Sequence, residues 1–386
     1  MFDHLSSVAI NEIGCLAIRN LACGNTKQLG WLKESGGVGA VIDALMEHEA
    51  IPSLAHAGCA ALRNLAVDSW ADEGRRGFVA AAGSAAAIVT SQGVPALVGA
   101  MRSHPTVAAV QMEGCCALRN LACGTPGDAR SRQGAVEAIV EAGGIEVLLT
   151  ALRTHERAPR VLAQGCGALR NLATSLEVRG VLVQGGGVEA AVGAMQTHAA
   201  DEEVCEQACA SLANLAQMPT RSGGMDVSAE AHRRHVSEAG AAIAAAIAAS
   251  AHLGLAGALR HHSSSLEVTV GACTTMAILL NAAGHDPAPL VADLIRMQGA
   301  LSALAAACVA FPETPSVVEH ACACLCKVVT IGGDAAAHAL SSTIEAPRDV
   351  LRALSHAEER RIVRPDAPGM REVHQALGRG RGSGRL

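Results

Sequence analysis

The clearest pattern in the sequence is a nine-residue block whose apolar positions recur at helical spacing. In the second copy, Cys59, Leu62 and Leu65 fall on one stripe at three- and four-residue intervals, which predicts an α-helix with one buried face. Asn64 falls on the opposite face, and Arg63 lies at the edge between the two faces. The full copies are Gly14–Ala22, Gly58–Ala66, Gly114–Ala122 and Gly165–Ala173.

A second block precedes each of these helices, beginning near a glycine and ending in His. The glycine predicts a sharp turn with left-handed backbone geometry, after which a second helix begins. Each repeat is therefore predicted as a short helix, a turn, a middle helix, a loop and a long third helix that carries Arg-Asn. Copies of this second block are Glu34–His48, Gln92–His104, Glu141–His155 and Gln184–His198.

The repeats are regular in the first half of the chain and degenerate later. Equivalent Asn residues are 43 to 56 residues apart, a period typical of three-helix repeats, and the longer intervals predict insertions at 68–84 and 124–134. The fifth copy keeps Asn214 but has Ala213 in place of Arg. Later blocks at 272–276 and 321–325 keep only the packing pattern, and Met218–His235 is predicted to be a loop.

These residues resemble the armadillo-repeat family, through the glycine turn and the Asn-Leu-Ala end of the third helix. The resemblance covers about residues 5–356 and is strongest from 14 to 217. It implies an all-α fold, a right-handed α-solenoid of about seven three-helix repeats with incomplete first and last units, at 1–356. The degenerate repeats occupy 218–356, and the Arg/Gly-rich segment 357–386 is predicted to be a disordered tail.

The resemblance also implies a partner-binding groove lined by third helices. In that family the groove Asn binds the main chain of an extended peptide, and the role falls here on Asn20, Asn64, Asn120, Asn171 and Asn214. Importin-α has a Trp one turn before this Asn. The equivalent residues here are Leu16, Ala60, Cys116, Gly167 and Ala210, which disfavours recognition of nuclear-import cargo.

The Arg residues beside this Asn row are the second candidate for binding. Arginine side chains fork onto carboxylates or phosphates, so the row predicts an extended acidic or phosphorylated partner segment. An alternative stays open, in which each Asn links neighbouring repeats and each Arg pairs with an acidic residue of the adjacent repeat. The Arg row comprises Arg19, Arg63, Arg119 and Arg170.

Composition narrows the remaining classes of function. The 386 residues carry a net charge of -6, are 1% aromatic and include no Tyr, which disfavours nucleic-acid binding by the body of the protein. The 14 cysteines are expected to be reduced core residues of a cytoplasmic protein, with the nucleus as the alternative compartment. No secretory signal precedes the first repeat, and Ala239–Leu259 is predicted as a buried helix pair rather than a membrane span.

Other residues that suggest chemistry have simpler explanations. The recurrent His48, His104, His155, His198 and His261 end helices and are predicted to cap them. Cys322 occupies the same core position as Cys59, so the cluster of Cys322, Cys324, Cys326 and His320 is not predicted to bind metal. No nucleophile and base occur in a recognisable arrangement, and no cofactor is predicted.

The sequence therefore predicts a non-catalytic scaffold that binds an extended segment of a partner protein. The alternative is a regulatory or assembly domain of a larger protein, such as a kinase or a component of a cytoskeletal complex. The first repeat begins almost at Met1, without a polar repeat to cover the end of the stack, which favours a fragment of a longer chain. Weak contact with RNA is expected only from the tail.

Overall fold

The protein is described by a computed structural model that divides into two compact units, Met1–Ala190 and Ala191–Leu386. Each unit is a stack of α-helices, which confirms the predicted all-α solenoid; its right-handed sense stays a prediction. The structure describes residues 1–23, 26–67, 69–70, 79–80, 84–124, 128–218, 229–282, 285–343, 347–360, 362–363 and 369–379.

In the first unit, a 3₁₀ turn at Phe2–His4 precedes the helices, and α12 crosses into the second unit. Two short antiparallel strands, β1 (Ser69–Trp70) and β2 (Val79–Ala80), lie in the insertion predicted at 68–84, most of which is outside the described residues. The helices are α1 Val8–Leu21, α2 Thr26–Glu34, α3 Gly37–Glu47, α4 Pro52–Leu65, α5 Ser84–Thr90, α6 Gly93–Ser103, α7 Ala108–Cys123, α8 Ala129–Glu141, α9 Gly144–Thr154, α10 Pro159–Leu172, α11 Leu176–Gln184 and α12 Gly187–Thr197.

The second unit continues the same order of helices. Its longest helix, α19, contains a break at Gly333, where φ is 53° and ψ is -135°. The helices are α13 Glu202–Ala216, α14 Ala229–Ala248, α15 Ala251–His261, α16 Leu266–Leu280, α17 Ala288–Arg296, α18 Ala300–Ala310, α19 Pro315–Thr343, α20 Pro347–Glu359 and α21 Met370–Arg379.

Third helices pack against one another along each stack, as the repeat register predicts. In the first unit α1 packs on α4, α4 on α7 and α7 on α10; in the second, α13 packs on α16, α16 on α19 and α19 on α21. The apolar stripe of the nine-residue block forms the core, since Leu62, Leu118 and Leu169 are fully buried. Helix α1 is a third helix without a first and second helix of its own repeat. From α2 to the part of α19 before Gly333, the described helices form successive groups of first, second and third helix.

The turn between first and second helices uses a left-handed residue, as predicted. Glycine holds this position at Gly36 and Gly143, with φ of 78° and 75°. Gln92 and Ser250 adopt the same geometry with φ of 63° and 57°, although their Cβ atoms make it unfavourable. These two turns are therefore strained where the glycine turns are not.

Replacing Gln92 with Gly is expected to raise the free energy of unfolding by about 0.5–1 kcal/mol. The substitution removes the steric cost of a left-handed backbone at a residue with a Cβ atom, and the greater entropy of glycine in the unfolded chain offsets part of this stabilisation. Urea unfolding followed by circular dichroism measures the change. The reverse substitution Gly143→Gln is the matched control and is expected to destabilise. A Gln92→Gly protein no more stable than the parent would contradict this explanation of the turn.

Two predicted segment boundaries are wrong. The tail predicted at 357–386 contains α21, whose Met370, Val373 and Leu377 are buried because its apolar face packs on α19. The loop predicted at Met218–His235 ends early, since α14 already begins at Ala229; residues 219–228 lie outside the described residues. Residues 380–386 of the tail are also outside them.

One described segment, Pro315–Ser342, is long and apolar enough to cross a membrane by length and composition, with a mean hydropathy of 1.3. The number of candidate spans rises to three if each of two bent helix pairs is counted as one span. These pairs are α14 with α15, bent by 72°, and α17 with α18, bent by 87°. Half of the apolar window in Pro315–Ser342 is buried in the protein. The helix pair predicted at Ala239–Leu259 falls on α14 and α15, which separate at Ser250.

Candidate protein-binding surface

The candidate surface is formed by the successive third helices α1, α4, α7 and α10 of the first unit, here called the third-helix surface. Each helix carries the Arg-Asn pair of the nine-residue block in or just before its last turn. Because neighbouring third helices are in contact, the pairs of successive repeats lie side by side in one register. The polar groups of neighbouring repeats on this surface are therefore close enough to hydrogen-bond to one another.

The Asn row joins each third helix to the one before it. In three successive repeats the Asn side-chain amide donates a hydrogen bond to the main-chain carbonyl of the preceding repeat's Arg. At Arg19 and Arg63 this bond satisfies one of the last four carbonyls of a helix, which have no intrahelical partner; Arg119 lies just before the last four of α7, which ends at Cys123. The bonds are Asn64 Nδ2 to Arg19 O at 2.8 Å, Asn120 Nδ2 to Arg63 O at 3.0 Å and Asn171 Nδ2 to Arg119 O at 2.8 Å.

The Arg row reaches forward to the next repeat. Arg63 Nη1 donates to Glu113 Oε2 at 2.5 Å, and the Glu113 side chain is only 7% exposed. His56 Nε2 lies 3.8 Å from the other oxygen of the same carboxylate. One repeat later, Arg119 Nη1 donates to Gln164 Oε1 at 3.0 Å. The carboxylate therefore balances the charge of Arg63, whereas Arg119 is held by a neutral amide.

The ends of the two rows differ from the middle. Arg19 donates from Nε and Nη2 to Asn20 Oδ1, both at 3.2 Å, and the exposed Asn20 makes no bond to another helix within the described residues. Arg170 is half-buried and engaged with other groups, as is Asn214, which belongs to the second unit.

The alternative that sequence reasoning left open is thus observed at Asn64, Asn120, Asn171, Arg63 and Arg119. Sequence reasoning did not identify Glu113, Gln164 or His56 as members of the surface. Glu113 and Gln164 both stand seven residues before the Asn of their own repeat, where the second repeat has Ala57. A polar residue at that position was the available signal, because it lies two turns away on the same helix face.

The recurrent His residues form a second inter-repeat row. Each donates from Nε2 to the carbonyl of a residue in the loop of the preceding repeat. The predicted helix-ending position is right, but in the repeat of α15 the bond is made by His262 and not by His261, while His198 is engaged with other groups. The bonds are His48 to Leu5 O at 2.7 Å, His104 to Glu49 O at 2.8 Å, His155 to Pro105 O at 2.9 Å and His262 to Ala199 O at 2.9 Å.

Replacing His262 with Ala is expected to lower the free energy of unfolding by about 1–3 kcal/mol, since it leaves a carbonyl without its donor. The neighbouring His261 is exposed, so His261→Ala is the matched control with an expected change below about 0.5 kcal/mol. Chemical denaturation of both variants measures the difference. Equal effects would contradict the assignment of the bond to His262.

Most of the cysteines are core residues. Eleven of the fourteen are buried, while Cys23 and Cys123 are exposed. Burial, helped by nearby negative charge, raises the pKa of the Cys15 and Cys205 thiols to about 12. Buried thiols of this kind are poor nucleophiles and poor metal ligands. Among the described residues, no three His, Cys, Asp or Glu side chains are grouped to hold a metal ion.

Two small clefts lie between second helices in the described part of the first unit. One, of about 250 Å³, lies between α3 and α6 and is lined by Met46, Pro95 and Gly99. The other, of about 180 Å³, lies between α6 and α9 beside Arg102 and Glu146. Neither brings together a nucleophile and a base.

Comparison with known proteins gives partial similarities. No family model matches the chain. Over 157 residues it is 30% identical to protein aardvark of Dictyostelium discoideum, which covers 40% of this chain; the chain spans about a fifth (20%) of that relative. A solved structure from work on a phosphorylation switch in the interaction between cadherin and β-catenin aligns with 95% of this chain and 80% of its own, at 17% identity and a TM-score of 0.38. This structural similarity is too low to carry an argument.

Proposed function

We propose that the protein is a non-catalytic scaffold that binds a segment of another protein along the third-helix surface. The observation that carries the proposal is the register of the Arg-Asn pairs, which inter-repeat hydrogen bonds fix on one side of four successive helices. A row of groups held in this way is pre-organised, so that a partner need not order them on binding. Stacked repeats commonly present such extended surfaces to partners.

The charge of this surface is uneven, and its distribution favours particular partner groups. Glu113 neutralises Arg63. Within the part of the chain that the structure describes, the side-chain hydrogen bonds of Arg119 and Arg19 go to neutral amides, those of Gln164 and Asn20. Gly167 leaves room for the Arg119 side chain, because a Cβ there would lie 2.8 Å from Arg119 Cδ. An acidic or phosphorylated residue is therefore expected to meet Arg119 and Arg19 in preference to Arg63.

The Asn side chains retain some capacity to hold an extended main chain. Each amide nitrogen carries two hydrogens, and the inter-repeat bond uses one of them. Asn120 and Asn171 are half-buried, whereas Asn64 is only 8% exposed. Main-chain recognition is therefore expected mainly at Asn120 and Asn171.

The test is the affinity of a short fluorescein-labelled peptide that alternates Glu with phosphoserine, measured by anisotropy. Arg119→Gln is expected to raise its Kd about tenfold, because a charge-assisted hydrogen bond is lost. Arg130→Gln is the matched control, since Arg130 is exposed on α8 and outside the third-helix surface. Equal affinity of the wild type and Arg119→Gln would contradict the proposal, as would equal binding of a peptide with Ala at every acidic position.

The second candidate is a regulatory or assembly domain of a larger protein, such as a kinase or a component of a cytoskeletal complex. The match to only about a fifth of protein aardvark favours it, because a comparable segment there lies within a longer chain. An antibody against this chain tests the idea in extracts of the source cells. A single band near 39.1 kDa would contradict it, and a larger band would support it.

A further inference from the structure

Two buried thiols face each other in the repeat formed by α17, α18 and α19. Cys308 on α18 and Cys322 on α19 have their Sγ atoms 4.0 Å apart. Both side chains are essentially inaccessible, at 0% and 1% exposure. The two residues lie on the second and third helices of one repeat, which pack directly on each other.

The same two positions form a core pair in the other repeats, always fourteen residues apart. Elsewhere the second-helix member is Leu or Met and the third-helix member is Cys. Sulfur atoms also meet at these positions in the repeat of α13, where Cys209 Sγ lies 3.5 Å from Met195 Sδ. The equivalent pairs are Leu45 and Cys59, Met101 and Cys115, Leu152 and Cys166, Met195 and Cys209, and Leu259 and Cys273.

We infer that Cys308 and Cys322 are a modification site, a dithiol that oxidises to a disulfide joining α18 to α19. The sulfur atoms have to approach from 4.0 Å to about 2.05 Å, which requires each to move by roughly an ångström. The fourteen-residue spacing is the same in each of these repeats and pairs one position of the second helix with one position of the third. Among the described pairs, only this one carries a thiol at both positions.

The reaction requires an oxidant, which a low-molecular-weight disulfide such as oxidised glutathione provides. One cysteine thiolate attacks a glutathione sulfur, forming a mixed disulfide and releasing the first glutathione thiolate. The second cysteine thiolate then attacks the protein sulfur of the mixed disulfide and releases the second. The released thiolates take up the two cysteine protons. Two cysteine thiols are thereby oxidised to one disulfide, and one glutathione disulfide is reduced to two thiols.

Burial of the two thiols limits the rate at which the disulfide forms. The hydrogen bond with Cys308 and burial both raise the pKa of the Cys322 thiol, so the closed protein holds little reactive thiolate. Oxidation therefore proceeds through local opening of α18 from α19. Once formed, the disulfide is shielded from reductants by the same burial and restrains the two helices.

Two further cysteines of α19 lie near this pair. Cys324 Sγ contacts the main-chain carbonyl of Cys273 at 3.9 Å, toward α16. Cys326 lies one helical turn beyond Cys322 on the same helix and is also buried. A disulfide between Cys308 and Cys322 would join α18 to α19, whereas a link between Cys322 and Cys326 would stay within α19, so peptide mapping distinguishes the two.

The experiment uses the full chain with Cys23→Ser and Cys123→Ser, which remove the exposed thiols. After incubation with oxidised glutathione, free thiols are alkylated under denaturing conditions and the disulfide is mapped by peptide mass spectrometry. We expect one intramolecular disulfide between Cys308 and Cys322, and a Tm several degrees above that of the reduced protein. Complete alkylation of both thiols, a link between other cysteines, or an unchanged Tm would overturn the inference.

Cys308→Leu is the matched control, because it recreates the Leu–Cys pair of the other repeats and is expected to fold. It should show neither the disulfide nor the oxidant-dependent rise in Tm. The same rise in Cys308→Leu would also overturn the inference, because it would come from another modification.

Discussion

Above about pH 9 the protein is expected to lose stability steeply, because its buried thiols ionise only when it unfolds. Burial raises the pKa of Cys273 and Cys326 from 9.0 to about 12, and that of Cys324 well above its usual value. A raised pKa in the folded state means that the unfolded chain binds fewer protons between about pH 9 and pH 12. Stability is therefore intact below the unfolded pKa and falls as the pH rises through this window.

The expected size of this effect is large. Each such thiol lowers the free energy of unfolding by roughly 1 kcal/mol per pH unit above pH 9, and five thiols of the second unit have a raised pKa, so a loss of several kcal/mol per pH unit is expected. No Tyr is present to add a competing phenol titration. Urea unfolding under reducing conditions at a series of pH values measures the slope.

Single cysteine variants identify the source of the slope. Cys324→Ala is expected to reduce the slope by roughly 1 kcal/mol per pH unit, since one group that ionises only in the unfolded chain is removed. Cys123→Ala is the control, because Cys123 is exposed, and its slope is expected to match the wild type. A stability that stays constant from pH 8 to about pH 10 would contradict this account of the core.

The double substitution Asn64→Ala and Asn171→Ala is expected to lower the free energy of unfolding of the first unit by about 2–5 kcal/mol. Each change removes a hydrogen bond to a main-chain carbonyl of the preceding third helix, at Arg19 and Arg119. The two sites share no partner, so their effects are expected to add. Denaturant unfolding of the single and double variants measures both the size and the additivity.

Asn20, at the equivalent position of the first third helix, provides the control for the Asn row. Asn20 is exposed and makes no bond to another helix within the described residues, so Asn20→Ala is expected to change stability by less than about 0.5 kcal/mol. If all the Asn variants unfolded at the same denaturant concentration as the wild type, the Asn row would not hold the repeats together. Partner binding should therefore be compared only among variants shown to be folded.

The repeat register was predictable because its signals are local. Apolar residues at helical spacing define the third helices, and the left-handed turn residues lie within a few positions of the helices they separate. The same helical spacing places the Asn side chains opposite the apolar stripe and the Arg side chains at the edge beside them. It could not decide whether they bind a partner or each other, because the deciding partners are 45 to 57 residues away in sequence.

Other features depended on the packing of whole helices. The choice between His261 and His262 is set by which ring reaches Ala199 O, and the sequence places both at the end of α15. The helix α21 was missed because the Arg and Gly content of its surroundings suggested disorder. Its Met370, Val373 and Leu377 nevertheless follow helical spacing, and α19 supplies the surface that buries them.

Photo-crosslinking tests the central claim most directly, namely that the third-helix surface is where a partner segment binds. The acidic phosphopeptide carries a benzophenone group at successive positions, and mass spectrometry identifies the residues it labels. The account predicts labels on α1, α4, α7 and α10 that move from repeat to repeat as the benzophenone moves along the peptide, and whose yield falls in Arg119→Gln at a peptide concentration near the wild-type Kd. Labels confined to first or second helices, or unaffected by Arg119→Gln, would contradict it.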